Sequence, residues 1–495
     1  MNAPTPQRIL PVADIRRIET AQGVDVSPPL MERAGLAAAR CAQALFGERE
    51  GVVLVVAGSG NNGGDGYVVA RLLREAGREV VVASMADPLR LPSDAAAAYD
   101  AWMAAGGNVV NDFVGGQWAL VVNALLGIGV TRGVEGRLAE WIERINAFSC
   151  PVLSLDVPSG LDADTGAVHG VAVRATHTAT FIAAKPGLLT LDGPDHCGTC
   201  SVHDLELDLR EAGGGRVIAP ELFGNWLKPR AHNSHKGSHG EAGIVGGAGG
   251  MVGAALLAGR AALRLGAGRV YVGMLDTHAP TVDLLQPELM LRAAGDVLQL
   301  ASALVVGCGL GQGDAALQIM RRALAFDGPL VIDADGLNLL GAHPALVTLL
   351  QARRQPTVLT PHPAEAGRLL RRDTRTVQAG RVAAAVEIAQ TLRAHVVLKG
   401  CGSVVATPQG TWFINTSGHA GLATAGTGDV LAGFIVALLA QGWPAEAALP
   451  AAVHLHGAAA DRLLDEGVGP IGLTAGELAD AARRVFNAWI AARAL

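Results

Sequence analysis

Lysine is scarce in this chain. Of 39 basic residues only four are lysine, Lys185, Lys228, Lys236 and Lys399. Such skew follows genome composition, so the surviving lysines become informative, and Lys185, Lys236 and Lys399 lie close to glycine in candidate loops. Charge is sparse as well: 17% of residues are charged, the formal net charge is -6, and no basic run exceeds a few residues. That excludes a nucleic-acid surface but not an acidic small molecule, for which one cationic loop suffices. Long apolar runs are missing. The longest, "VLAGFIVALLA" at Val430–Ala440, is about half of the roughly 18 to 20 residues of a membrane span. The N-terminal "MNAPTPQRILPVADIRRIET" lacks the apolar core of a secretory signal. A cytoplasmic enzyme without a membrane partner is expected. Six cysteines are scattered, and only Cys197 and Cys200 are close, in "HCGTC". With His196 and His203 they suggest a zinc knot, but a second, similarly spaced ligand pair is absent, so the segment reads as a loop.

What is present is apolar sequence in short blocks. The chain has 495 residues, half of them apolar, enough for two or three domains with sizeable cores. After a helical start, "PPLMERAGLAAARCAQAL", come the runs "GVVLVVAG", "REVVVASM", "WALVVNALLG", "PVLSLDVPSG" and "THTATFIAAKPG", several of them separated by helical stretches. Continuous apolar strands alternating with helices predict an α/β domain with a parallel sheet covered on both faces. "EAGGGRVIAP" (211–220) is glycine-rich and aperiodic and reads as a linker. A second α/β series follows, with "AGIVGGAGG", "GRVYVGML", "ALVVGCGLG", "GPLVIDADG", "PTVLTPHPAE" and "HVVLKG", then a hairpin in "GSVVATPQGTWFINTSG". The expected domains span residues 1–215 and 220–495.

In the first, "GSGNNGGDGYVVA" leads from a strand into a helix. Gly63, Gly64 and Gly66 allow close backbone approach to a phosphate or pyrophosphate, and Asn61 and Asn62 add neutral oxygens for a cation. A plain turn between strand and helix remains the alternative. "NALLGIGVTRG" (Asn123–Gly133) and "LDVPSGLD" (Leu155–Asp162) are expected beside it at the carboxyl edge of the sheet. Asp156 is the candidate acid/base, with a turn cap as the alternative.

In the second, the three histidines of "HNSHKGSHGEAGIVGG" lack a helix to align them for a metal. His362, between prolines in "LTPHPAE", is held extended and suggests a ligand contact. Lys399 and Gly400 stand at a strand end suited to a nucleotide phosphate. In "AGTGDVLAG", Gly426, Thr427 and Gly428 can aim backbone N–H groups at developing negative charge. Asp429, in place of the lysine of other phosphate loops, is a candidate base for a hydroxyl attacking a phosphoryl group.

These motifs carry two resemblances. "MERAG", "GSGNNGGDG", "NALLGIG", "LDVPSGLD" and "AAKPG", in this order across about 190 residues, resemble the NAD(P)HX epimerase domain, a Rossmann-like three-layer fold. The resemblance implies that Asn61, Asn62, Gly63, Gly64 and Asp65, with Gly127, Ile128, Gly129, Val130, Thr131, Arg132 and Gly133, hold a hydrated dinucleotide. It implies that Asp156 handles protons at the nicotinamide ring, and that Asn62, Asn123 and Ser159 surround a potassium ion (K+). Asn123 departs from the family's usual Asp, which removes a charge from that site. "TPHPAE", "LKG" and "HAGLATAGTGDVLAG" resemble the ADP/ATP-dependent NAD(P)HX dehydratases of the ribokinase-like superfamily. That implies Lys399, Gly400, Cys401, Gly402, Ser403 and Gly428 for the adenine nucleotide with its Mg2+. Ala254, Gly309, Gly311, His362 and Asp429 would meet the hydrated cofactor. "SGHAG" replaces the family's more frequent "GNAG".

Together they imply a bifunctional repair enzyme acting on NADHX, NADPHX and ADP: the first domain interconverts the R and S forms, and the second dehydrates the S form with ADP consumed. A homo-oligomer is expected, with a tetramer as its candidate form. The alternatives are a ribokinase-like kinase of a small alcohol such as a vitamin precursor, and a nucleotide-binding regulatory module.

Overall fold

The computed structural model describes residues 7–21, 27–47, 49–113, 115–130, 132–209 and 212–493. The chain divides into two compact units, Gln7–Gly214 and Gly215–Leu495.

In the first unit, β-branched runs such as Val52–Ala57 are buried almost throughout, as expected of strands covered on both faces. The sheet order is Val109–Val110, Val80–Ser84, Val52–Ala57, Trp118–Ala124, Val152–Leu155, His177–Phe181 and Thr199–His203, all parallel. Chain order reverses between Val52–Ala57 and Trp118–Ala124, which creates a crevice beyond their carboxyl ends. At the start of that crevice the Gly58 backbone lies close against Leu125. A Cβ at Gly58 would lie 1.8 Å from the Leu125 carbonyl oxygen, so no side chain is admitted.

The second unit has its strands in the order Gly215–Val217, Trp412–Ile414, Val404–Ala406, His395–Leu398, Thr357–Leu359, Leu330–Ile332, Ala303–Val306, Glu241–Gly246, Arg269–Met274 and Met290–Ala293. The strands from His395–Leu398 onward to Met290–Ala293 are parallel, and Val404–Ala406 with Trp412–Ile414 forms the antiparallel hairpin. The order reverses between Ala303–Val306 and Glu241–Gly246, a second switch point. The apolar helix Thr427–Ala440 is a core element, buried from Val430 to Leu439. It packs on Val252–Arg264 so closely that a Cβ at Gly433 would lie 2.3 Å from the Ala258 carbonyl oxygen. No helix among the described residues is long and apolar enough to cross a membrane.

Two local expectations need correction. Glu211 lies outside the described residues, but Gly215–Val217, inside the stretch read as linker, is a strand parallel to Trp412–Ile414. Its backbone finds a partner about 200 residues downstream, which local composition cannot reveal. "HCGTC" is not a loop either: Gly193–Cys197 is helical and Thr199–His203 is the edge strand. Among the described residues its cysteines do not gather with His196 and His203 into a group of ligand atoms; the His196 ring lies 2.9 Å from the Asp192 carbonyl, and His203 faces Cys41 and Ser201.

Candidate functional site

In the first unit the chain leaves the strand Val152–Leu155 and turns sharply at Asp156, whose φ of 63° lies in the left-handed region. Asp tolerates this conformation better than most non-glycine residues. The turn aims the carboxylate back across the crevice: Oδ1 accepts from Lys185 Nζ at 2.5 Å and Oδ2 from the Ile128 backbone N–H at 3.2 Å. Lys185 is fully buried, and its ammonium also donates to Thr180 Oγ1 and the Phe181 carbonyl, both at 2.8 Å. Asp65, in the second turn of the helix Asn61–Glu75, is buried nearby. Burial first, and the Asp156 charge second, push its carboxyl well above the ordinary range.

Gly127 fits between Asp156 and Asn62, since a Cβ there would lie 3.0 Å from Asp156 Oδ2 and 3.3 Å from Asn62 Cβ. The loop thus brings Gly127, Ile128, Asn62 and Asp156 together. Gly63, Gly64 and Val130 are buried, while Asn61, Gly129, Arg132 and Gly133 are exposed along the rim. Thr131 lies outside the described residues. Asn123 and Ser159, both fully buried, meet directly: Ser159 Oγ donates to Asn123 Oδ1 at 2.9 Å and accepts from Leu126 N at 2.8 Å. Asn123 Nδ2 donates to Ser154 Oγ at 3.0 Å. The amide and carbonyl of Asn62 are buried yet meet no partner among the described residues. Buried polar atoms are normally paired, so Asn62 is fitted to a group that the protein itself does not supply.

In the second unit five segments converge on the carboxyl edge. The left-handed Gly426, φ 90°, caps the helix Thr427–Ala440 and places Asp429 in its first turn, where helical N–H groups lack acceptors within the helix. Burial, then the Asp333 charge, raise the Asp429 carboxyl to about 6. Asp333 follows the strand Leu330–Ile332 and is almost fully buried; its Oδ1 accepts from Lys399 Nζ at 2.8 Å. Burial alone would depress the Lys399 ammonium, but Asp333 and Glu365 raise it above its ordinary value. The Cys308 thiol, buried between Asp429 and Asp333, is pushed well up, chiefly by burial. Ligand atoms of Cys308, Asp333 and Asp429 lie within 4.8 Å of one another, the one such group among the described residues. Two carboxylates suit Mg2+, whereas the thiol does not.

A Cβ at Gly428 would lie 3.3 Å from Lys399 Nζ, so cation and helix start share one site. The Thr427 carbonyl accepts from His456 Nε2 at 2.9 Å; burial lowers this imidazole to about 4 and keeps it neutral. The loop after Lys399 is held by the buried Arg381, which donates to the carbonyls of Leu398, Lys399 and Gly402 at 3.2, 3.2 and 3.4 Å. Gly400 and Gly402 take φ of 140° and 64° there. Ser403 Oγ accepts from Gly400 N at 3.2 Å, and Cys401 is exposed. At the switch point, Ala248 N donates to the Gly309 carbonyl at 2.7 Å, and Gly309 packs near Ala254. Gly311 N donates to Asp335 Oδ2 at 2.8 Å.

His362 is extended, with φ -80° and ψ 167°. Its Nδ1 accepts from Ala364 N and Glu365 N as a helix cap, and its Nε2 lies 3.2 Å from Glu365 Oε1. About half of its side chain is exposed. Lys185, Cys308, Asp333, Arg381 and His456 were not singled out as site residues from the sequence. The rarity of lysine and the strand-end acid of "VIDADG" were the available signals for Lys185 and Asp333.

Comparison with known proteins follows this division. A family profile described as YjeF-related protein N-terminus matches residues 27–187, and one described as NAD(P)H-hydrate dehydratase matches residues 242–484. A bifunctional NAD(P)H-hydrate repair enzyme of Escherichia coli strain K12 is 39% identical over 92% of this chain and 89% of its own. One of Coxiella burnetii is 37% identical over 96% of this chain and 98% of its own. Among solved structures, an ADP/ATP-dependent NAD(P)H-hydrate dehydratase of Bacillus subtilis, co-crystallised with ATP and Mg2+, is 32% identical. It covers 55% of this chain and 98% of its own, with a TM-score of 0.50.

Proposed function

The chain belongs to the family of bifunctional NAD(P)H-hydrate repair enzymes, and on that footing we propose that Asp156 serves its epimerase activity and Asp429 its dehydratase activity. It is an enzyme that repairs hydrated nicotinamide cofactors, and membership in this family sets aside the small-molecule kinase and the regulatory module. The epimerase site is assigned to residues 1–215 and the dehydratase site to residues 220–495.

In the epimerase site the crevice between Gly58–Asp65 and Gly127–Gly133 takes the dinucleotide, its pyrophosphate at the start of the helix Asn61–Glu75. Asp156 handles protons at the nicotinamide ring as the R and S forms exchange. Asn62, Asn123 and Ser159 hold potassium through neutral oxygens; the unpaired buried side chain of Asn62 supports this. When bound, the ion would supply positive charge beside Asn62, Asn123 and Ser159.

In the dehydratase site Asp429 removes the proton of the C6 hydroxyl of the S form, and that oxygen attacks the terminal phosphorus of ADP, releasing AMP. Gly426, Thr427 and Gly428 direct backbone N–H groups at the transferring phosphoryl group, with Lys399 beside them. Hydroxide is a poor leaving group and phosphate a good one. The ring nitrogen lone pair expels phosphate from C6, and loss of a C5 proton restores the dihydronicotinamide. Lys399, Gly400, Cys401, Gly402, Ser403 and Gly428 hold the nucleotide, whose Mg2+ the carboxylate of Asp333 would help to hold. Ala254, Gly309, Gly311 and His362 line the side of the hydrated ring. ADP is taken as the donor, and a cytoplasmic homo-oligomer as the working state.

The observation that carries this reading is Asp429 in the first helical turn, beside Asp333 and Lys399. The test is NADH absorbance regenerated from mixed R and S NADHX with ADP. Wild type converts the mixture fully, with AMP and phosphate formed; Asp429→Asn regenerates none. An Asp429→Asn protein that still dehydrates removes the assignment, and a stable phosphorylated product removes the dehydratase chemistry.

A further inference from the structure

We infer that Lys185 is a positioning residue for epimerisation, acting through Asp156, an inference that rests on the role proposed above for Asp156. A lysine with no exposed surface loses its hydration entirely and persists only if every ammonium proton is satisfied. Here all three are: Asp156 Oδ1 at 2.5 Å, Thr180 Oγ1 at 2.8 Å and the Phe181 carbonyl at 2.8 Å. Two of these acceptors belong to the neighbouring strand His177–Phe181. The ammonium is therefore fixed to the sheet, and through it so is Asp156, whose backbone is held in the sparsely populated left-handed region.

The surroundings show why a cation is needed there. Asp156 is faced by Asp65 from the helix Asn61–Glu75, by Glu19 from the exposed side of Val12–Ala21, with Arg16 beside that glutamate, by Cys200 from the edge strand, and by Lys185. The Cys200 thiol is raised to about 11, chiefly by burial, and is uncharged at neutral pH. Three carboxylates thus surround a single buried cation. Lys185 engages one oxygen of Asp156, and the Ile128 N–H reaches the other beside Gly127 and Asn62. This division turns the second oxygen of Asp156 to the loop at Gly127, the side from which substrate is proposed to approach.

The experiment uses the full chain without nucleotide, so that only interconversion of R and S NADHX is read by chromatography. Lys185→Met is expected to lower kcat by about 100-fold or more with KM changed less than about threefold. Lys185→Arg keeps the charge and recovers part of kcat. Full activity in Lys185→Met, or a loss carried by KM with kcat unchanged, overturns the inference. If Lys185→Met does not fold, Thr180→Val, near-isosteric and lacking one acceptor of the ammonium, replaces it; a smaller loss of kcat with KM little changed is expected, and an unchanged kcat overturns the inference. Asp156→Asn separates the two ideas. If it still epimerises, the role of Asp156 fails. If it does not, and Lys185→Met keeps full activity, the inference about Lys185 alone fails.

Discussion

Lys399 donates from Nζ to Asp333 Oδ1 at 2.8 Å, joining the ends of two strands that are not neighbours in the sheet. Thr357–Leu359 lies between them, so the ion pair spans the floor of the site over which the helix Thr427–Ala440 begins. Removing Lys399 leaves a buried carboxylate without its cation. Lys399→Met is expected to raise the KM for ADP and to cost about 3 kcal/mol of stability. The double variant with Asp333→Asn should recover much of the stability but not the activity. Chemical denaturation and initial rates measure the two effects.

The dehydratase reaction should fail on acidification. Asp429 acts as a base only when ionised, and its carboxyl lies at about 6, so kcat/KM is expected to fall as pH drops through about 6. The stability effect has the opposite sense. The folded value lies above the ordinary value of 3.8, so the folded chain binds the extra proton between them, and stability declines as pH rises from about 4 to about 6. Asp429→Asn is therefore expected to be inactive yet more stable than wild type at pH 7.5, by on the order of 1 kcal/mol, with little difference near pH 4.

Arg381 tests the loop that follows Lys399. Its guanidinium joins three carbonyls from Leu398 to Gly402, and burial lowers it to about 10, still charged at neutral pH. Arg381→Met leaves those carbonyls without their donor. A higher KM for ADP and a loss of about 2 kcal/mol are expected, with R to S interconversion unchanged.

Asn123→Asp restores a negative charge beside Ser159. The Ser154 hydroxyl can turn to donate where it now accepts from the amide. The variant should bind potassium more tightly than wild type, seen as activation of epimerisation at lower KCl, with NaCl as the control for ionic strength.

Much of the fold was legible because parallel strands buried on both faces must be continuous apolar runs, and "GVVLVVAG" or "ALVVGCGLG" can hardly be anything else. The glycine loops were legible because backbone approaching a ligand excludes side chains. Asp156 and Asp429 stood out as acids at strand ends and helix starts. Their partners did not. Lys185 is 29 residues from Asp156 and Asp333 is 66 residues from Lys399, and such pairings exist only once strand order is known. The strand Gly215–Val217 was missed for the same reason, since its partner lies near residue 413. His362 was read by its extended backbone, which the structure has, but its second use as a helix cap depends on Glu365 folding back onto it.

His456 offers something beyond its place in the packing. Its Nε2 proton, locked to the Thr427 carbonyl and shielded from solvent, should exchange slowly enough to give a resolved signal in the far-downfield proton NMR spectrum. Because that carbonyl belongs to the first residue of the helix carrying Asp429, the signal is an internal reporter. Titrating nucleotide while watching one line would follow the phosphate loop in the intact protein, with no label attached.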